Sequence, residues 1–237
     1  MSDSIAQRLR DLDWDDVGRA LDEHGWARTP PLLTPAECAD MIRLWDEPRR
    51  FRSRVPMARF RFGEGEYRYF ADPLPRLVRD LRAASFTHLA PIANRWMSAL
   101  ADARRFPPRL GDFLARCDAR GQTRPTPLLL RYERGGWNAL HQDLYGDVVF
   151  PLQLTCFLSR PGEDYTGGES LLVEQRPRAQ SRGEVIVGRQ GEVLIFPTTV
   201  RPVRGARGML RHHVRHGVSR VTSGERWALG VIFHDAR

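Results

Sequence analysis

The chain of 237 residues contains no lysine; all thirty-seven of its basic residues are arginine. Cysteine is almost as scarce: Cys38, Cys117 and Cys156 are isolated and odd in number. That spacing excludes a disulfide scaffold or a cysteine-built zinc site as the organising principle, and a reducing, cytoplasmic setting is expected. No stretch approaches the roughly 18 apolar residues of a membrane-spanning helix, so no membrane partner is expected. The opening Met1-Ser2-Asp3-Ser4-Ile5 has neither a basic start nor an apolar run, and no secretory leader is expected. Internal repeats and low-complexity segments are also missing.

What is present is a globular composition, 41% hydrophobic and 28% charged, long enough to bury a sizeable core. The charge is uneven. Residues 1–47 hold eleven acids and five arginines, net −6, whereas residues 48–237 hold eighteen acids and thirty-two arginines, net +14. Arginine without lysine is what a coding preference would give; such a preference does not by itself create an excess of +14, which suits an anionic partner such as nucleic acid.

Periodicity divides the chain. Residues 13–24 carry Trp14, Val17, Ala20 and Leu21 at helical spacing, and Gly25 stops them. Thr34-Pro35-Ala36-Glu37 has a cap, a first-turn proline and a glutamate three residues after the cap, so a helix is expected to about Asp46. Six arginines (Arg49, Arg50, Arg52, Arg54, Arg59, Arg61) fall in a loop or hairpin over 48–61. Residues 60–70 alternate aromatic and polar side chains, which predicts a hairpin turning at 63–65. Residues 75–114 return to helical spacing, with breaks expected near Pro91 and Pro107-Pro108. From residue 128 on, short apolar runs at 128–132, 149–159, 169–174, 184–187, 192–196, 212–218 and 227–233 are separated by Gly, Pro and Asp clusters, which predicts a β-sandwich or barrel. The fold class expected is α+β. Residues 1–125 read as a mostly helical extension with an Arg-rich hairpin packed on the core, and residues 126–237 read as the β core.

His141-Gln142-Asp143 is the first chemical signal. In a strand, residues i and i+2 share a face, so an imidazole and a carboxylate converge. His216, in a late strand, supplies a third donor. Two histidines and one carboxylate on one face of an octahedron leave the opposite positions open, the arrangement of non-haem Fe(II) oxygenases. A lone His-x-Asp is weak evidence. Arg226 strengthens it: ten residues beyond His216, at the start of the next strand, it could hold a carboxylate bidentately.

With these residues assembled, the chain resembles the Fe(II)/2-oxoglutarate-dependent dioxygenases. Their pattern of His-x-Asp, a distal His, and an Arg or Lys about ten residues on corresponds to His141, Asp143, His216 and Arg226. Tyr132, Thr166-Gly167-Gly168-Glu169 and Gly191-Glu192-Val193-Leu194-Ile195-Phe196-Pro197 also match. The resemblance implies a double-stranded β-helix (jelly-roll) core buttressed by the N-terminal helices. It implies Fe(II) on His141, Asp143 and His216, with 2-oxoglutarate as cofactor and dioxygen as cosubstrate. The distal carboxylate of 2-oxoglutarate would lie on Arg226 with help from Tyr132. A closer resemblance, carried by His141-Gln-Asp-Leu-Tyr-Gly-Asp, Phe150-Pro-Leu-Gln, Glu174-Gln-Arg-Pro-Arg, Arg201-Pro-Val-Arg-Gly and Phe233-His-Asp-Ala, is to a bacterial proline-hydroxylase-like branch predicted to modify nucleic acids. The interval from His141 to His216 exceeds the usual spacing, and Arg-rich loops over 176–211 are expected to account for it.

Other readings stay open. His212 shares a face with His216 if 212–216 is one strand, though the resemblance places the ligand at His216. His234 and Asp235 read as structural. The expected reaction is hydroxylation of a substrate C–H, or oxidative demethylation where that carbon is bonded to nitrogen. The substrate is a base in nucleic acid, a prolyl or other protein side chain, or a free amino acid or small molecule. A non-catalytic jelly-roll binding module is the remaining class. Arginines beside exposed aromatics at 48–70 suit single-stranded nucleic acid; a solvated loop with its aromatics packed on the helices is the other reading. Arg201, Arg204, Arg207 and Arg211 could line the barrel mouth.

Overall fold

A computed structural model describes residues 4–176 and 178–237; residues 1–3 and Pro177 of the Glu174-Gln-Arg-Pro-Arg motif lie outside it. The helices are α1 (Ile5–Arg10), α2 (Trp14–His24), α3 (Pro35–Arg43), α4 (Arg76–Ala99) and α5 (Leu110–Asp118). Their ends follow local chemistry. Ser4 and Asp13 cap α1 and α2, and Gly25 ends α2 at φ 82°. At α3 the Thr34 hydroxyl accepts from the Glu37 N–H while the Glu37 carboxylate accepts from the Thr34 N–H. The break expected at Pro91 does not occur: α4 runs unbroken through it. An interior proline costs about 3 kcal/mol. Here its ring faces outward, and α4 buries eleven side chains, Phe86, Leu89 and Trp96 among them. Each large one contributes about 1.5–3 kcal/mol, so packing outweighs the lost backbone bond.

The strands are β1 (Ala27–Arg28), β2 (Phe51–Pro56), β3 (Gly63–Glu64), β4 (Glu66–Phe70), β5 (Leu128–Tyr132), β6 (Trp137–His141), β7 (Leu152–Phe157), β8 (Tyr165–Gly167), β9 (Ser170–Gln175), β10 (Arg182–Ile186), β11 (Val193–Pro197), β12 (Val200–Gly205), β13 (Gly208–Val218), β14 (Val221–Gly224) and β15 (Arg226–Val231). Seven form a major antiparallel sheet in the order β1-β11-β7-β15-β5-β4-β2. A minor sheet runs β10-β9-β13-β6-β3, with β12 added along β13, and β14 pairs β8. These two facing sheets form the jelly roll. The major sheet is buried on both faces, which explains its nearly continuous apolar runs. Along β15, Trp227, Leu229 and Val231 pack against the helices. The intervening Arg226, Ala228 and Gly230 line a cavity between the sheets.

Two further expectations change in detail. The strand pairing with β4 is β2, not residues next to Phe60; residues 57–64 form a separate tip between them. At that tip Gly63 lies at φ 134°, and a Cβ there would meet the Trp137 carbonyl at 2.2 Å. The span 176–211 is not mainly loop. It holds β10, β11, β12 and the start of β13, so the long interval between the two histidines is a β12–β13 hairpin added to the barrel. Arg and Pro in Val200–Gly205 hid that strand from a pattern reading. No helix among the described residues is long and apolar enough to cross a membrane.

The last strand's end is tied down by buried polar groups. Arg82 of α4, 2% exposed, donates to the carbonyls of Ile232 and Phe233 and to Asp235 at 2.7–2.9 Å. His234 is fully buried and its Nδ1 accepts from the Phe150 N–H at 3.4 Å. Burial pushes its imidazole down to about 4. An unfolded histidine accepts a proton near pH ~6.5. Between these values only the unfolded chain is protonated, so this contribution is present above about pH 6.5 and lost, by roughly 3 kcal/mol, as the pH falls toward 4. Urea unfolding of the protein and of His234→Leu at neutral pH and near pH 4 should show a shallower loss in the variant; equal losses would assign the acid sensitivity elsewhere.

Candidate metal and cosubstrate site

The register of two strand pairs builds the site. His141 at the end of β6 lies directly opposite His216 on β13, and their rings approach to 4.1 Å between centroids. Tyr132 on β5 lies directly opposite Arg226 on β15. All four side chains face one cavity of about 230 Å³. It runs from His141, whose side chain is 36% exposed, to Arg226, which is 2% exposed.

Asp143 lies beyond the end of β6, so the pair is not held by one continuous strand as the spacing suggested. It still reaches the same point. One donor atom each from His141, Asp143 and His216 lies within 4.8 Å of the others. Asp143 Oδ2 is 3.1 Å from His216 Nε2, and its Oδ1 is 3.7 Å from His141 Nε2. Gln142 holds the segment in place by donating to the carbonyls of Thr199 and Val214.

The electrostatics suit a divalent cation. His141 Nδ1 lies 2.7 Å from the Ala139 carbonyl, which only accepts. Nδ1 therefore carries the proton and Nε2 keeps its lone pair toward Asp143. Burial, then the neighbouring His216, lowers the pKa of His141 and favours the neutral ring a metal needs. Burial alone would raise the Asp143 carboxyl, but His216, His141 and the Tyr145 hydroxyl together hold it well below the usual range. Tyr145 donates to Asp143 Oδ1 at 2.6 Å and accepts from Tyr69 at 3.0 Å. Oδ1, on the His141 side, thus also takes the Tyr145 hydrogen bond, and Oδ2 faces His216.

At the deep end, Arg226 donates to Ser170 Oγ at 3.2 Å, and its Nε has no partner among the described residues. No carboxylate among the described residues lies within ion-pair distance of it. A buried guanidinium without an anion is costly, and the cavity gives an anion room to reach it. Gly168, at φ 66°, makes space for this side chain: a Cβ would come within 2.9 Å of Arg226 Cδ. Tyr132 is fully buried 5.5 Å from the guanidinium, measured to its ring, and accepts from Asn138. Burial pushes its hydroxyl up to about 12, keeping it protonated and able to donate.

The remaining sequence candidates lie elsewhere. His212 shares the inward face of β13 but bonds to Glu174 at 2.8 Å, and Arg201 binds the same carboxylate at 2.5 Å. Arg201 is buried against the end of α2, not at a mouth, while Arg204, Arg207 and Arg211 are exposed on the β12–β13 hairpin. Sequence reasoning did not assign roles to Tyr145, Ser170 or Asn138. Tyr145 was within reach, standing two residues after Asp143; Ser170 and Asn138 are recognisable only once the sheets close.

Comparison with known proteins agrees with this geometry. Two uncharacterized proteins of Mycobacterium tuberculosis, MT2286 and Rv2227, are each 54% identical over 167 residues, covering 70% of this chain and 72% of theirs. Among solved structures, a Pseudomonas putida prolyl-4-hydroxylase superimposes with TM-score 0.57 at 17% identity, covering 94% of this chain and 99% of that one. A Burkholderia pseudomallei oxidoreductase of the 2OG-Fe(II) oxygenase family gives TM-score 0.55 at 16% identity, covering 95% and 93%. These likenesses show a shared fold, and the three converging donors offer a site for a metal ion. Residues 65–236 match the Oxygenase-NA model, described as an oxygenase catalysing oxidative methylation of damaged DNA, and the chain belongs to that family of oxygenases.

Proposed function

We propose that this oxygenase holds Fe(II) with His141, Asp143 and His216, and anchors the far carboxylate of 2-oxoglutarate on Arg226. Its substrate would be a base in nucleic acid. The observation that carries the reading is Arg226: a buried cation without an acidic partner among the described residues, opening on the same cavity as the three donors. Iron bound there would let dioxygen oxidise 2-oxoglutarate to succinate and carbon dioxide, one oxygen atom entering the succinate and the other hydroxylating a substrate C–H bond; on an N-methyl carbon the hydroxymethyl product would release formaldehyde and leave the unmethylated base.

The chain's own residues do the positioning. Arg226 offers two parallel N–H donors to a carboxylate, the geometry that fixes both distance and direction. Ser170 and the Tyr132 hydroxyl flank it as neutral donors. Tyr145, itself held by Tyr69, fixes the orientation of the Asp143 carboxylate that would bind the metal together with the two imidazoles. Apolar walls from Leu154, Leu194 and Phe196 exclude water from the reacting carbon. Nucleic acid is supported by the family's described target and by the +14 body. Arg59, Arg61, Arg134 and Arg220 have no acidic partner within ion-pair distance among the described residues, so they contribute to that excess.

Anaerobic addition of Fe(II) and 2-oxoglutarate should give the weak visible charge-transfer band of the chelate, and a folded protein without that band would overturn the reading. Asp143→Ala should weaken Fe(II) binding by more than about a hundredfold, since even outer partners of ligands are worth roughly 10–100-fold. Tyr145→Phe belongs to that second group, and metal titration should place its loss within that range. Arg226→Met should weaken 2-oxoglutarate by about two to three orders of magnitude, the cost of removing one partner from a buried ion pair. Fe(II) affinity measured without 2-oxoglutarate should stay unchanged; loss of both together would mean that Arg226 supports the fold instead.

A further inference from the structure

Phe60 and Phe62 are the only exposed aromatic side chains among the described residues, 48% and 46% exposed. They are stacked on each other, with centroids 5.6 Å apart and planes inclined by 21°. Phe62 also lines the cavity that contains His141 and Arg226. The aromatic residues of the 60–70 segment therefore divide: Tyr67 and Tyr69 turn inward onto the cavity, and the two phenylalanines remain outside at its mouth.

The tip that carries them is tied to the barrel by backbone hydrogen bonds. The Phe62 carbonyl accepts from the Ala139 N–H at 2.8 Å, two residues from His141. The Phe62 N–H donates to Met57 and the Arg61 N–H to Ala58. Met57 is fully buried beneath, beside Tyr132. Arg61 sits at φ 60°, a conformation an arginine keeps only where surrounding bonds hold it. The Arg59 guanidinium lies 5.6 Å from the Phe60 ring centroid. Arg59 and Arg61 are both exposed and have no acidic partner among the described residues.

We propose that Phe60 and Phe62 form a platform on which a base of a single DNA strand stacks while its neighbour enters the cavity, with Arg59 and Arg61 on the flanking phosphates. This rests on the nucleic-acid reading above. Two observations choose this occupant. Flat rings between guanidinium groups match a chain that alternates flat bases with phosphate charges. The platform also adjoins the mouth of the metal-site cavity, so a strand lying on it places the next base within reach of His141. A base has a π-face whatever its identity, so the platform is indifferent to sequence, and selection falls to the cavity.

The test is fluorescence anisotropy of the 237-residue protein with Fe(II) and 2-oxoglutarate, without oxygen. The probes are labelled oligothymidylate and an abasic oligonucleotide of equal length, which keeps the phosphates and lacks the bases. The parent should prefer oligothymidylate. F60A/F62A should lose that preference, with roughly ten- to a hundredfold weaker oligothymidylate binding, the range for removing one or two stacked bases. Its salt dependence should be unchanged. R59A/R61A should weaken both probes alike and flatten the salt dependence by about 0.7 for each phosphate no longer neutralised. F60W/F62W, which keeps flat rings, should restore the preference and guards against a folding defect in the alanine variant. A parent that binds oligothymidylate no better than the abasic strand, or an alanine variant that keeps the preference, overturns the platform alone. A parent that binds neither strand overturns the nucleic-acid reading with it. If F60A/F62A instead loses co-sedimentation with phosphatidylglycerol vesicles and keeps its DNA binding, the rings serve a lipid surface and the proposal falls.

Discussion

Cross-strand register decides everything at this site. His141 meets His216, and Tyr132 meets Arg226, because β6 pairs β13 and β5 pairs β15 at those residues. A slip of one residue would turn an entire strand over, since side chains alternate faces. For β15 that would send Arg226 into the helix-packed core and Trp227 into the cavity. Two-sided burial prevents it: Leu229 and Val231 belong to the large core beneath α4, and Ala228 and Gly230 are small enough to leave the cavity open. The core thus secures the chemistry by making the alternative register expensive.

The cavity carries its own opposition of charges. At one end a carboxylate is kept ionised among two imidazoles and a tyrosine; at the other a guanidinium lies buried without an acid. Each end is costly while empty and favourable when a ligand of opposite sign arrives. The two ends also lie on different elements, so ligands at both would join the minor sheet to the major one. Gly168 belongs to this economy of space, because a side chain there would displace Arg226.

Much of this was readable in the sequence. His141 and Asp143 were found from residue types and spacing, the family resemblance chose His216 over His212, and the structure brings the three donor atoms together. Capping chemistry located α2 and α3 well, because Thr34, Glu37 and Gly25 act on their immediate neighbours. Failures came where distant packing overrode local preference. Pro91 did not end α4 because the buried face of that helix outweighs one missing bond. β12 went unseen because its partner along β13 supplies the ladder that its arginines and proline do not advertise. Asn138 and Ser170 gained meaning only from residues far along the chain, which no local pattern carries.

The major sheet has a kinetic consequence. Ala27 pairs with Ile195, and the strand bearing Arg226 is flanked by strands from residues 128–132 and 152–157. Such pairings close long loops, and they form late compared with the local contacts of a helix such as α4. The arginine that completes the cavity therefore joins only after the surrounding strands are laid out. Until that strand joins, β5 and β7 each keep an open edge beside apolar faces, and those edges are a template for pairing with another chain.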